Sequence, residues 1–225
     1  MDHRQTMLAT AQGSPAAVAA HDKAAWLALF TDDGIVNDPV GSALHSGSDE
    51  LSAFYDTFIA PNTVVFHPHH DIVCGDVVVR DVTLEIQMSD AVVLSVPVHL
   101  RYEMAGADHI AGLYAHWELP TMIRQMLGKG LAAAPVSLRL TKSLLQNQGL
   151  SGSAGFARGF SRVGAREKRA ALEHLRTTQP DWTAGKCLAA GRYVTVSMSR
   201  AGEHAVAMVE FSGKSITDVT LFTDQ

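Results

Sequence analysis

Residues 30–47 read FTDDGIVNDPVGSALHSG, and this stretch decides how the chain around it folds. A helix-forming segment runs into Phe30. Two acids and a glycine, Asp32, Asp33 and Gly34, then predict a turn. The β-branched run Ile35–Val36–Asn37 reads as a short strand. Pro39 extends that strand by one residue, because the residue before a proline is pushed out of the helical region. Val36 and Asp38 therefore share a face. A carboxylate on an apolar face loses solvation, which raises its pKa and makes it a better base. An Asp-Pro step alone is ordinary turn chemistry; the apolar strand before it sets Asp38 apart.

Upstream, PAAVAAHDKAAWLALFT at 15–31 has helical spacing, with Val18, Trp26, Leu29 and Phe30 on its apolar side. Downstream, SGSDELSAFYDTFI predicts a second helix. Ser46 or Ser48 would cap it, and Leu51, Phe54, Tyr55 and Phe58 would form its buried stripe. From residue 63 the period changes to two. Two strands are expected around Gly75–Asp76, a third at AVVLSVPVHLRYEM and a fourth at HIAGLYAHWEL. This order predicts an α+β fold, a cone-shaped curved antiparallel sheet with helices on its concave face. Residues 1–119 are expected to form that cone and 120–155 a helical connector. Residues 156–225 repeat the plan in shortened form, as a degenerate second copy and packing partner. That copy has no counterpart of Asp38.

The chain has 225 residues, 47% of them hydrophobic, and a net charge of −5. It has no basic block suited to nucleic acid. Cys74 and Cys187 have no zinc spacing. No apolar run reaches the ~18 to 20 residues that span a bilayer, and the N-terminus lacks a secretory pattern. The expectation is a cytoplasmic protein with no membrane, nucleic acid, metal or cofactor requirement. Its partner would be a hydrophobic small molecule, and it would form a homodimer or an intrachain pseudo-dimer.

The block ALFTDDGIVNDPVGSALHSGSDELSAFYDTF resembles the opening of bacterial Δ5-3-ketosteroid isomerases, within the SnoaL-like and nuclear transport factor 2-like superfamily. Leu29–Phe30, Asp32–Asp33, Asp38–Pro39–Val40–Gly41–Ser42, Gly47 and Phe54–Tyr55 carry the resemblance. It continues more faintly through PVHLRY and GLYAHWE, over about half the chain. It implies that Asp38 moves a proton between substrate carbons, while a tyrosine and a protonated aspartic acid bind the oxyanion. Neither donor is in its family position: Ser14 stands nearest the first, and Val98 occupies the second. Tyr55, the family's supporting tyrosine, is present.

The candidate catalytic residues are therefore Asp38, Tyr55 and His116. His116 shares a strand face with Gly112 and Tyr114 and matches a pocket-lining position of the family. The candidate substrate wall is Trp26, Val36, Phe54, Phe58, Val82, Leu84, Ile86, Val98 and Tyr114. His67, His69 and Asp71 share a strand face with Val65, a face expected to look into the pocket. An HxH pair on a strand can ligate metal, but Pro68 favours a solvated edge. The expected function is acid/base chemistry on a steroid- or terpenoid-like molecule, closest to Δ5-3-ketosteroid isomerisation. The alternatives are a SnoaL-like epoxide hydrolase or cyclase, and a non-catalytic binding or scaffold protein.

Overall fold

The computed structural model describes residues 2–143 and 163–224. The expected connector beyond 143 and the start of the second copy, up to 162, lie outside the described residues. The N-terminal half opens with α1 (His3–Ala19) and α2 (Lys23–Ala28). Sequence spacing predicts one helix through 15–31, yet two form. His21 adopts φ 52°, and the Asp22 side chain accepts a hydrogen bond from the Ala25 backbone N–H at 2.9 Å. The left-handed His21 ends α1, and the Asp22 cap starts α2.

Strand β1 (Phe30–Asn37) follows directly, so Asp32–Asp33–Gly34 lies inside a strand rather than in a turn. The pairing register with the neighbouring strand shifts between Phe30 and Ile35. A β-carbon at Gly34 would stand 2.9 Å from the Phe30 β-carbon. Glycine is what lets this bulged segment fold onto its own beginning. Next come β2 (His45–Ser46) and α3 (Gly47–Phe54), which continues as a π-helical turn over Tyr55–Ile59. Then follow β3 (Thr63–Cys74), β4 (Val77–Ser89), β5 (Val92–Ala105) and β6 (His109–His116). The sheet order is β2-β1-β6-β5-β4-β3, antiparallel except where β1 meets β6.

Alternation along β4 and β5 turns Val82, Leu84, Ile86, Val96, Val98, Leu100 and Tyr102 inward, against α1, α2 and α3. Helix α4 (Leu119–Gly128), a 3₁₀ turn (Gly130–Ala133) and α5 (134–143) follow. The second half begins with α6 (Ala165–Thr178). It continues as β7 (Thr183–Ala190), β8 (Tyr193–Arg200), β9 (Glu203–Ser212) and β10 (Ser215–Thr223), in sheet order β10-β9-β8-β7. Ala171 and Leu175 of α6 pack on Val194, Val196 and Val209. The opposite face of that sheet lies against the outer face of the first. The layers thus run helices, sheet, sheet, helix.

Candidate functional site

Val36 is fully buried, and two residues on Asp38 follows it onto the inner face of β1. The intervening Asn37 points the other way and ties down the loop that follows. Its Nδ2 donates to the Ser42 carbonyl at 3.1 Å, and its Oδ1 accepts from the Gly41 N–H at 3.4 Å. The Val40 N–H donates to the Ala115 carbonyl at 2.9 Å, anchoring the same loop to β6. The Asp38–Pro39 peptide bond is cis. Asp38 is half-buried and lines an apolar cavity. Burial raises its carboxyl from 3.8 to about 6, against the hydrogen bond from Trp117, which lowers it. The Trp117 Nε1–H donates to Asp38 Oδ1 at 2.5 Å.

The cavity has a volume of about 140 Å³. Its wall is mainly apolar, with Trp26, Phe54, Phe58, Leu84, Ile86 and Leu113 prominent. Met122 of α4 and Leu140 of α5 complete it. Its polar points are Asp38, Ser14, Asn62, Tyr102 and the Trp117 indole. Tyr102 is fully buried. Burial raises its phenol above the ordinary value, and the Arg80 charge and a hydrogen bond with Ser14 pull the other way. The phenol is thus neutral at physiological pH and able to donate. Ser14 Oγ accepts from the Trp26 Nε1–H at 3.2 Å. Arg80, 4% exposed, donates through Nε to Asp71 Oδ1 at 2.8 Å. The Asp71–Arg80 ion pair thus stands behind Tyr102, which shares the cavity wall with Ser14.

Of the expected wall residues, Trp26, Phe54, Phe58, Leu84 and Ile86 line this cavity with Asp38. Val36, Val82 and Val98 belong to the packed core around it rather than to its surface. Tyr55 lies behind Trp26, ring centroids 5.5 Å apart, and its buried hydroxyl has no hydrogen-bond partner among the described residues.

His116 and Tyr114 do not reach Asp38. On β6 the inward set is Leu113, Ala115 and Trp117, so Tyr114 and His116 face outward, toward the second half. Burial pushes the His116 imidazole down to about 3, helped by the charge of Arg101. On β3 the inward residues are Val64 and Phe66, whereas Val65 and His67 are exposed. His67 lies 3.7 Å from Glu85, and His69 bonds the Thr83 hydroxyl at 2.9 Å. Among the described residues no group of His, Cys, Asp or Glu is arranged to hold a metal ion.

Sequence reasoning gave Tyr102, Arg80 and Trp117 no role, and noted Ser14 only as nearest the position of the family's oxyanion tyrosine. A signal existed for two of them. Tyr102 continues the inward series Val96, Val98, Leu100, and Trp117 continues Leu113, Ala115.

The outer face of the first sheet carries a buried polar cluster against the second. Lys186 forms an ion pair with Asp81 and donates to the carbonyls of Val82 at 2.9 Å and Val98 at 2.8 Å. His99 bonds Thr195 and Ser197, each at 2.8 Å, and the Ser197 hydroxyl donates to Asp81 at 2.5 Å. Burial acts to raise the Asp81 carboxyl, but His99 3.7 Å away, the Lys186 ammonium and the Ser197 hydroxyl hold it well below the carboxylate range. Burial lowers the His99 imidazole, so it is neutral at pH 7. Beside this cluster a cleft of about 640 Å³ opens between the halves, lined by Asn37, Arg101, Tyr114, His116, Glu167 and Tyr193.

The sequence profile of the SnoaL-like domain family matches residues 11–117. The cone is a SnoaL-like domain. An LEH-like epoxide hydrolase of M. tuberculosis is 16% identical, with 60% of this chain and 98% of that chain covered and a TM-score of 0.50. A SnoaL-like polyketide cyclase, so described, of Shewanella putrefaciens is 14% identical, with 55% and 97% covered and a TM-score of 0.50. A Δ5-3-ketosteroid isomerase of Mycobacterium sp. is 28% identical, with 52% and 96% covered and a TM-score of 0.49. No curated protein matches the chain.

Proposed function

We propose that the SnoaL-like domain is an acid/base catalyst for a small apolar carbonyl compound, with Asp38 as the proton carrier. The observation that carries this reading is a carboxyl raised to about 6 on the wall of an apolar cavity. Such a group is ionised at neutral pH yet more basic than a solvated aspartate. Asp38 would take a proton from the carbon beside a carbonyl and return it two carbons further along the dienolate. This converts a β,γ-unsaturated ketone into its conjugated isomer. The negative charge that develops on the carbonyl oxygen needs donors aimed at it. Tyr102 and Ser14 are the hydroxyls in the same cavity wall, and Arg80 stands behind Tyr102. The Trp117 indole holds the Asp38 carboxylate in place.

The volume narrows the substrate. At about 140 Å³ the cavity is close to the ~150 Å³ void that accepts benzene in an engineered protein core. A one-ring enone matches it. A steroid or terpenoid body, as in Δ5-3-ketosteroid isomerisation, requires Met122 and Leu140 to move outward. Epoxide opening usually calls for paired acids, and Asp38 is the only carboxylate lining the cavity among the described residues. This favours the isomerase reading over the hydrolase or cyclase.

The test offers the protein a one-ring β,γ-unsaturated ketone and a Δ5-3-ketosteroid, and follows absorbance of the conjugated enone. Turnover that vanishes in Asp38→Asn, with the small ketone preferred, supports the reading. Turnover unchanged in Asp38→Asn removes Asp38 from the mechanism. Tight binding of either ketone without any turnover makes the domain a carrier.

A further inference from the structure

The segment from Leu119 to residue 143 has two unlike faces. Met122, Met126, Ala133 and Val136 are buried, and Met122 and Leu140 reach the Asp38 cavity. In the same segment Leu127 is 74% exposed, Leu131 93% and Leu138 73%. These are the three most exposed large hydrophobic side chains among the described residues. The same segment holds Arg124, Lys129, Arg139 and Lys142 and no acid, a charge of +4 in a chain of −5, which leaves −9 on the rest. Arg139 is fixed at the rim of the cone, donating to the Met88 carbonyl at 2.6 Å and to Asn62 Oδ1 at 3.3 Å. Arg124, Lys129 and Lys142 are exposed beside the leucines.

Exposed leucines interleaved with cations, in a segment stripped of acids, match the apolar–anionic boundary of a lipid bilayer. A second copy of this chain fits poorly, because two such faces would bring six positive charges together. A polyanion such as nucleic acid gives the leucines nothing to bury against. No helix among the described residues is long and apolar enough to cross a membrane, so the contact would be interfacial. This goes beyond the sequence reading, which looked for a span and set membranes aside.

We propose that the α4–α5 segment docks on an anionic lipid surface. Leu127, Leu131 and Leu138 enter the headgroup–acyl boundary, and Arg124, Lys129 and Lys142 meet the headgroups. The inner face of the docked segment is the wall of the apolar cavity, so a lipophilic ligand could pass from bilayer to cavity without crossing water. Docking does not depend on what Asp38 does.

The full-length protein is sedimented with phosphatidylcholine vesicles and with phosphatidylcholine–phosphatidylglycerol vesicles. Binding is expected to be at least about tenfold stronger on the anionic vesicles and to fade with added salt. Lys129→Glu and Leu131→Ser should each weaken it by about fivefold or more while leaving circular dichroism and thermal unfolding unchanged. Asp38→Asn should bind as the wild type does, so this experiment and the enone assay fail separately. Absence of binding to anionic vesicles overturns the proposal. So does equal binding to both vesicle types, or binding untouched by the two substitutions. Self-association that Leu131→Ser dissolves, without vesicle binding, assigns the leucines to a second copy instead.

Discussion

The two halves share a helix-on-sheet plan and differ in what lies between helix and sheet. In the second half, Ala171 is 0% and Leu175 1% exposed, and they sit directly on valines and alanines of β8 and β9. Small side chains let the helix settle against the strands. In the first half, rings occupy the same layer. Trp26 stacks on Phe54 at 6.2 Å, and Phe54 packs on Phe58 at 5.1 Å. Rigid aromatic pillars hold α2 and α3 off the sheet and leave a cavity beside Asp38. β1 and β2, which deliver Asp38, have no counterpart in the described second half. The cavity and its acid come together, and the described second half has neither.

The largest expected effect tests whether chemistry belongs to the hollow half. Asp38→Asn should lower turnover by about 10²- to 10⁴-fold. It should also stabilise the fold at pH 7. A raised carboxyl contributes stability that is complete below its ordinary 3.8 and is lost as pH rises through about 6. At neutral pH the buried charge is therefore a cost, and its removal should gain about 1 to 3 kcal/mol in urea unfolding. That gain should vanish near pH 4.

The contact between the halves is the next target. Asp81→Ala leaves Lys186 buried without its carboxylate and should cost about 3 to 5 kcal/mol in the same measurement. Replacing both partners by apolar residues should cost much less. Tyr102→Phe keeps the ring and removes the donor. Turnover should fall by about 10²- to 10³-fold, with little change in substrate affinity. A fall in affinity alone would make Tyr102 part of the wall and nothing more.

Packing changes sharpen the comparison directly. Ala171→Leu pushes α6 off a filled interface and should cost about 1 to 3 kcal/mol. Leu84→Phe adds comparable bulk toward a void, so it should leave stability nearly unchanged while blocking ligand binding, as read by calorimetry. If both substitutions destabilise equally, the first half is not hollow in solution.

The smallest effect is on acid stability. The His116 imidazole falls from 6.5 to about 3 in the fold. A lowered histidine contributes stability that is complete above its ordinary value and is lost as pH drops toward the folded one. Between pH 7 and 5 this group should remove about 1 to 2 kcal/mol. His116→Phe should flatten that part of the unfolding curve.

Much of the fold could be read from alternation and turns. The strands around Gly75–Asp76, the long β5 and the isolated α6 all have clear local signals. The orientation of β6 did not. Gly112–Tyr114–His116 and Leu113–Ala115–Trp117 are both mixed sets, and the second sheet covers the outer face of the first. When both faces of a strand are buried, polarity no longer tells inside from outside. His116 was assigned to the wrong side of its strand for that reason. Asp38 was singled out because an apolar strand runs into it and a proline follows it. The Tyr102–Arg80–Asp71 chain was not, since its members come from three strands and meet only after pairing.

The turn between β7 and β8 gives the two-sheet arrangement a further meaning. A β-carbon at Gly191 would come within 3.0 Å of the Gly41 α-carbon, in the loop that follows Asp38–Pro39. A separate partner subunit braced against that loop would leave it on dilution, and the loop would loosen with it. Here the brace is part of the same chain, so its occupancy is independent of protein concentration. Whatever Asp38 does, it should do with the same rate constant in a nanomolar solution as in a millimolar one.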